Sequence, residues 1–244
     1  MIKVVTIDFW NTLFDSANGP QRNTARKAAL REAITACGGT CEEELLNSVY
    51  HGIWDYFDHH WLNHRRTPTS EEMLREMLRG LDHELPDDVL ADVAEVYERG
   101  ILEHPPGLHQ GAAEALEFLA ARADLALISD TAFSGGAVLR ELMEQVDIAR
   151  YFSVFVFSNE TGVAKPHPEA FQRALEPLGA TPDQAFHIGD IERTDIRGAR
   201  GAGMKAVLYR ADRDHKYAEE TTEAEEVLDH WNEITDVYAR LSDS

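Results

Sequence analysis

The chain has 244 residues, 43% of them hydrophobic, and carries 44 acidic against 23 basic side chains for a net charge of −21. That length suits one large domain or a core domain with an insert, with ample apolar content to bury a core. So acidic a surface excludes nucleic acid and anionic membranes as expected partners, and no apolar run approaches the ~20 residues that cross a bilayer.

The same charge favours divalent cations. With only five lysines it suits either a high-salt interior or an ordinary acidic protein. The start of the chain lacks a basic segment followed by an apolar stretch and a small-residue cleavage site, so a cytoplasmic protein without an export signal is expected. Cys37 and Cys41, the only cysteines, read as free thiols of a reducing compartment.

The chain opens with an apolar and β-branched run, Ile2 to Ile7, closing on Asp8. A carboxylate at the end of a buried strand is costly unless a metal or an electrophile uses its charge, although it can also cap the following turn. Pro20 to Cys37 is helical, with Ala25, Ala28, Ala29, Ala33 and Ile34, and Gly38-Gly39 stops it. Cys41 to Asn63 is a second helix whose aromatic stripe, Trp54, Phe57 and Trp61, reads as core. Thr69 and Ser70 with Glu71 and Glu72 begin a third helix, and Pro86 opens a fourth. No strand signal interrupts this stretch, so residues 17–103 form an all-helical insert.

After Pro105 strands and helices alternate. Helices are expected over Gly111–Arg122, Gly136–Val146, Pro168–Leu178 and Asp195–Ala202. Strands are expected at Leu125–Ile128, Tyr151–Phe157, Ala185–Ile188 and Lys205–Tyr209, the last clear one. This pattern predicts an α/β fold, a doubly wound Rossmann-like parallel sheet. From 211 to 244 the chain is acidic, but Val227, Leu228, Trp231, Ile234, Val237, Tyr238 and Leu241 recur at helical spacing. They predict a helix packed on the core, with only the last few residues loose.

Polar residues close several strands on what should be one edge of the sheet: Asp8; Ser129 with Asp130 and Thr131; and Asp190 with Asp195 nearby. Lys165 lies in a loop. Two carboxylates and a loop carbonyl suit Mg²⁺, which takes oxygen ligands and keeps several waters. The Ser129 hydroxyl and the Lys165 ammonium suit phosphoryl oxygens, and such a lysine lowers the pKa of neighbouring carboxylates. Each residue also has a structural reading: Asp195 as the cap of its helix, Ser129 or Thr131 as caps of a turn.

In this order the clusters resemble the haloacid dehalogenase superfamily. The motifs are Asp8-Phe9-Trp10-Asn11-Thr12-Leu13, Ser129 in Leu127-Ile128-Ser129-Asp130-Thr131, Lys165-Pro166 in the loop, and Gly189-Asp190 with Asp195. The resemblance implies a core of residues 1–16 and 104–244 with residues 17–103 as its cap. It implies that Asp8 is the nucleophile and forms an aspartyl-phosphate, with Ser129 and Lys165 as further catalytic residues. Mg²⁺ would be held by the Asp8 side chain, the backbone carbonyl of Trp10, Asp190, and Asp195 directly or through water. Thr12, Asp130 and Thr131 would lie at a small phosphorylated substrate.

One position departs from the pattern. The superfamily's phosphatases carry a second aspartate two residues after the nucleophile as general acid and base, and here that residue is Trp10. Dehalogenases of the superfamily also place an aromatic there, and a departing halide needs no proton. Against that reading, three carboxylates crowded without a cation would raise one another's pKa. The chain is therefore expected to be a Mg²⁺-dependent phosphatase or phosphotransferase. The alternatives are a 2-haloacid dehalogenase and a catalytically weakened module that binds a phosphorylated ligand or a partner. His60, His64 and Arg65, with His59, are the cap residues expected to reach the substrate. His187 and Asp15 are expected to support the site from behind. The sequence does not fix the oligomeric state.

Overall fold

A computed structural model of the chain describes residues 1–210 and 216–243. Among these, six parallel strands form one sheet: β1 (Val4–Ile7), β2 (Asp124–Ser129), β3 (Phe152–Phe157), β4 (Ala185–Gly189), β5 (Lys205–Tyr209) and β6 (Glu226–Leu228). Their order is β3-β2-β1-β4-β5-β6. Strands buried on both faces read as continuous apolar runs, as Val4–Ile7 and Leu125–Ile128 do.

Helices cover both faces. On one, Val5, Ile7 and Leu127 pack against α5 (Ala112–Ala120), α6 (Gly136–Gln145) and α10 (Ile234–Asp243), with Trp231 between them. On the other, Val4, Ala126 and Ile128 meet Phe171 of α8 (Pro168–Leu175) and Ala199 of α9 (Arg197–Gly201). A single turn, α7 (Ser158–Thr161), follows β3.

Between β1 and α5 the chain is helical: α1 (Gly19–Ala36), α2 (Glu43–Asp58), α3 (Ser70–Gly80) and α4 (Asp87–Glu103). Helix α2 runs into a wide helical turn, His59–Asn63. Thr69 and Glu72 exchange side-chain-to-backbone bonds at the start of α3, which satisfies donors the first turn leaves open. These helices gather around their own apolar cluster, including Leu30, Tyr50, Met73 and Tyr97, joined by Phe133 and Ala164 from the core. Asp15 pins the two connecting segments together. Its carboxylate accepts from the amides of Ala17 at 2.8 Å and Gly107 at 2.7 Å.

The C-terminal stretch departs from the expected helix. Val227 and Leu228 belong to β6, paired with Leu208 and Tyr209 of β5, and α10 begins only at Ile234. Three strand residues are too few to break a helical periodicity, which is why Lys205–Tyr209 reads as the last strand. Helix α10 continues to Asp243, so the expected loose end is helical that far. Residues 211–215 and 244 of the same stretch lie outside the described residues. No helix among the described residues is long and apolar enough to cross a membrane. Cys37 and Cys41 are both free.

Candidate active site

Strand β1 lies between β2 and β4, so the chain leaves it towards one side and later returns on the other. Ligand sites of open α/β sheets form at such a switch point, outside the carboxyl ends of the strands. Asp8 follows β1 there, Asp130 follows β2 and Asp190 follows β4. The Asp8 amide donates to Ile188 O of the neighbouring strand end at 2.9 Å. The chain then turns sharply, with Asn11 in the left-handed region at φ 54°, where asparagine is tolerated better than most residues. Phe9 stacks on Phe14 at 4.5 Å inside the core, and Trp10 is left to face the cavity.

Lys165 is buried at the centre of the site. Its ammonium lies 2.5 Å from Asp8 Oδ1 and 2.6 Å from Asp195 Oδ1. Burial opposes the charge of Lys165, and Asp195, Asp8 and Asp130 outweigh that and raise its pKa. Asp195 is held on every side: Oδ1 also meets His187 Nε2 at 3.0 Å, and Oδ2 accepts from the Ile191 amide and the Thr194 hydroxyl. Burial alone would raise Asp195, but Lys165 and His187 hold it well below the usual carboxylate range. Burial keeps His187 neutral by lowering its pKa. A carboxylate only accepts, so His187 Nε2–H donates to Asp195 while Nδ1 faces the Thr6 hydroxyl at 2.8 Å. A Cβ on Gly189 would come within 2.4 Å of Asp195, so only glycine lets the strand end approach this carboxylate.

One ammonium cannot balance the buried carboxylates around it. Burial pushes Asp8 up to about 7, partly against Lys165 and reinforced by Asp195. Burial, then Asp8 and Asp195, raises Asp190 well above its ordinary value. The pull of Lys165 outweighs burial at Asp195 but not at Asp8 or Asp190, where one ammonium is shared among several carboxylates. Among the described residues no three His, Cys, Asp or Glu side chains are grouped to hold a metal on their own. Asp8 and Asp190 follow the adjacent strands β1 and β4 and both line the cavity, offering carboxylate oxygens of the kind Mg²⁺ takes. Asp195, expected among the ligands directly or through water, accepts from Lys165, His187, Ile191 and Thr194, and these bonds fix it beside the Lys165 ammonium.

Beside these residues opens a cavity of about 350 Å³. Its lining includes Asp8, Trp10, Asp130, Lys165, Asp190 and Asp195 from the strand ends, together with Arg22, Asn23, Arg26, Trp54, Phe57, Trp61 and Phe133. The aromatic stripe of Trp54, Phe57 and Trp61 thus serves both as core and as cavity wall. Trp61 donates to Asp130 Oδ2 at 2.8 Å, and Asp130 Oδ1 accepts from the Lys165 amide. Tyr217, which follows β5, closes the rim: its hydroxyl donates to Asp58 and its ring meets Trp61 edge-on at 5.3 Å.

Other expected residues lie elsewhere. His60, His64 and Arg65 do not line the cavity. The wide turn after α2 directs His59 and His64 outward, where their Nε2 atoms meet at 3.2 Å, and Arg65 is exposed with its carbonyl accepting from Ala164. Ser129 and Thr12 are buried with unpaired hydroxyls and sit behind the lining. Thr131 is bound to Ser158 and Asn159. Arg22 and Arg26 escaped the sequence reading because two arginines in an alanine-rich helix look like its solvated side. Their spacing of four, in register with Leu30 and Ile34, was the available signal.

The family model described as haloacid dehalogenase-like hydrolase matches residues 2–203. The chain is 30% identical over 213 residues to the glyceraldehyde 3-phosphate phosphatase of Methanopyrus kandleri, covering 86% of this chain and 84% of that one. A shorter match, 34% identical over 93 residues, reaches the phosphoglycolate phosphatase of Salmonella paratyphi A, covering 38% of this chain and 36% of the other. Among solved structures, the 2-haloacid dehalogenase of Pseudomonas syringae pv. tomato is similar. Its TM-score is 0.70 at 25% identity, covering 98% of this chain and 99% of that one.

Proposed function

The chain belongs to the haloacid dehalogenase-like hydrolases, and on that premise we propose that it is a Mg²⁺-dependent phosphatase of a small phosphorylated metabolite in the cytoplasm, with residues 17–103 capping the core. The observation that carries this reading is the excess of buried carboxylate around Lys165, which raises Asp8 and Asp190 and calls for a further cation. Mg²⁺, held by Asp8, Asp190 and the Trp10 carbonyl, would supply charge neutralisation for an anionic nucleophile meeting an anionic phosphate. Asp8 attacks phosphorus through its carboxylate and forms an aspartyl-phosphate, expelling the alkoxide or phenoxide; water then hydrolyses the acyl phosphate and restores Asp8. Lys165, fixed by Asp195, contacts both the nucleophile and the transferring oxygens. Asp195 in turn is fixed by His187 and the Ile191 amide.

Trp10 brings no proton to the leaving group, so esters with good leaving groups are the favoured substrates. The same residue supports a second reading, a 2-haloacid dehalogenase, because halide departs unprotonated; the similarity to the Pseudomonas enzyme supports it too. Hydrolysis of 4-nitrophenyl phosphate with and without Mg²⁺, beside Asp8→Asn, tests the two. Turnover that needs Mg²⁺ and falls at least about 10³-fold in the variant supports the phosphatase. Metal-free halide release from 2-chloropropionate, with no ester hydrolysis, replaces it with the dehalogenase.

A further inference from the structure

Among the described residues, six aromatic side chains line the cavity: Trp10, Trp54, Phe57, Trp61, Phe133 and Tyr217. All but Trp10 form one continuous chain of rings. Phe133 meets Trp54 edge-on at 5.5 Å and Trp54 meets Phe57 at 5.7 Å. Phe57 then meets Trp61 at 5.7 Å, and Trp61 meets Tyr217 at 5.3 Å. The chain is assembled from the loop after β2, helix α2, the wide turn behind it and the segment after β5, four parts of the sequence brought to one cavity.

Packing alone does not use up this wall. Trp10, Trp54 and Tyr217 are only half-buried while lining the cavity, so ring surface is left for an occupant to cover. Apolar surface of this kind favours an apolar occupant over water, and rings favour another ring at offset or edge-on spacing. The tyrosine is held in place by its hydroxyl, which donates to Asp58 at 2.7 Å. A second, independent observation concerns the bond that breaks. Trp10 offers no proton to the leaving oxygen, so that oxygen must depart as a weak base. Phenoxides are much weaker bases than alkoxides. An aromatic alcohol meets both demands: it departs unprotonated, and it carries a flat apolar ring.

We propose that the leaving group of the substrate is aromatic, a phenol esterified to phosphate, and that Trp54, Trp61 and Tyr217 form the subsite that holds its ring. The ester rests on the function proposed above; the aromatic subsite does not. Attack by the Asp8 carboxylate forms its bond to phosphorus as the bond from phosphorus to the phenolic oxygen breaks. The electron pair of that bond leaves with the phenoxide, which takes its proton from water after departure. Trp54 and Tyr217 act as specificity-determining residues, because the energy of ring against ring is available to a phenyl ester and not to an alkyl ester of equal acidity.

The test compares kcat/KM for phenyl phosphate and hexafluoroisopropyl phosphate, whose alcohol is about as acidic as phenol but carries no ring. The proteins are the wild type, Trp54→Leu, Tyr217→Leu and Tyr217→Phe. In the wild type the phenyl ester is favoured by at least about fivefold, the scale of one aromatic pair. The ratio falls towards one in the leucine variants and is kept in Tyr217→Phe, which retains the ring. A merely structural role for these rings would lower both rates together and leave the ratio unchanged, and that result overturns the subsite. Equal turnover of the two esters in the wild type overturns it as well. If neither ester is hydrolysed, the phosphatase reading fails instead, and calorimetric titration with phenylphosphonate and cyclohexylphosphonate decides the subsite without turnover. Tighter binding of phenylphosphonate, lost in the leucine variants, supports it; equal binding, or none, overturns it.

Discussion

The Trp61 indole donates to Asp130 at 2.8 Å across the junction between the helical insert and the sheet. The other oxygen of Asp130 takes the Lys165 amide at 3.0 Å, so one side chain ties together the wide turn after α2, the end of β2 and the lysine loop. Burial pushes Asp130 up to about 6, and Lys165 and the indole keep it from rising further. Trp61→Phe keeps an aromatic ring against Phe57 and Tyr217 but removes the donor. We expect a loss of about 1–3 kcal/mol, the cost of an unsatisfied buried acceptor, in urea denaturation. A variant as stable as the wild type would show that the indole contributes packing only.

Lys165 is the counter-charge to Asp8 and Asp195 at 2.5 and 2.6 Å. Lys165→Met preserves the length of the side chain and leaves those carboxylates buried together. Removing one partner of a buried ion pair costs about 3–5 kcal/mol, and we expect that loss in chemical denaturation at pH 7 without divalent ions. Turnover should fall by at least about 10³-fold, since the nucleophile loses its positioning as well as its charge partner. Unchanged stability would mean that the carboxylates are already protonated in the folded chain.

The residues that the sequence placed well are those where an apolar run ends on a polar side chain. Asp8, Asp130 and Asp190 needed only strand periodicity and the rule that open parallel sheets gather ligands at one edge. The division of labour among the carboxylates was not legible in this way. The spacing that pairs Asp195 with Asp190 says nothing about the lysine, histidine and amide that share its oxygens. His60, His64 and Arg65 were misplaced because a wide turn rotates side chains away from the directions of a regular helix. Arg22 and Arg26 were passed over for the opposite reason. Their inward direction follows from where α1 packs, which depends on contacts with α4 and Phe133 distant in sequence.

Metal binding should be linked to pH. Asp8 sits at about 7 without a cation, so below that value it is mostly protonated and Mg²⁺ must displace the proton. Apparent affinity should therefore rise about tenfold per pH unit below 7 and flatten above it; a contribution from Asp190, also raised, would steepen the slope. Titration calorimetry from pH 6 to 8, in two buffers of different ionisation enthalpy, counts the protons released. Affinity independent of pH, with no proton release, would show that Asp8 is ionised before the metal arrives.

Trp10 is the residue that most limits the proposed chemistry. Its ring stands against Phe9 at 5.1 Å and beneath the Arg22 guanidinium at 6.0 Å, on the cavity wall beside Asp8. An indole offers no proton at useful acidity, so protonation of the leaving oxygen falls to water. General acid assistance is worth about 10²–10⁴-fold, and its absence matters most where the leaving alkoxide is basic. Trp10→Asp should therefore raise turnover of ethyl phosphate by at least about tenfold, a conservative share of that range. Turnover of 4-nitrophenyl phosphate, whose leaving group departs unaided, should change little. The diagnostic quantity is the ratio of the two rates, which a loss of packing common to both substrates leaves unchanged. A ratio that stays constant would place the leaving-group proton on another residue of the cavity and remove Trp10 from the account of substrate choice.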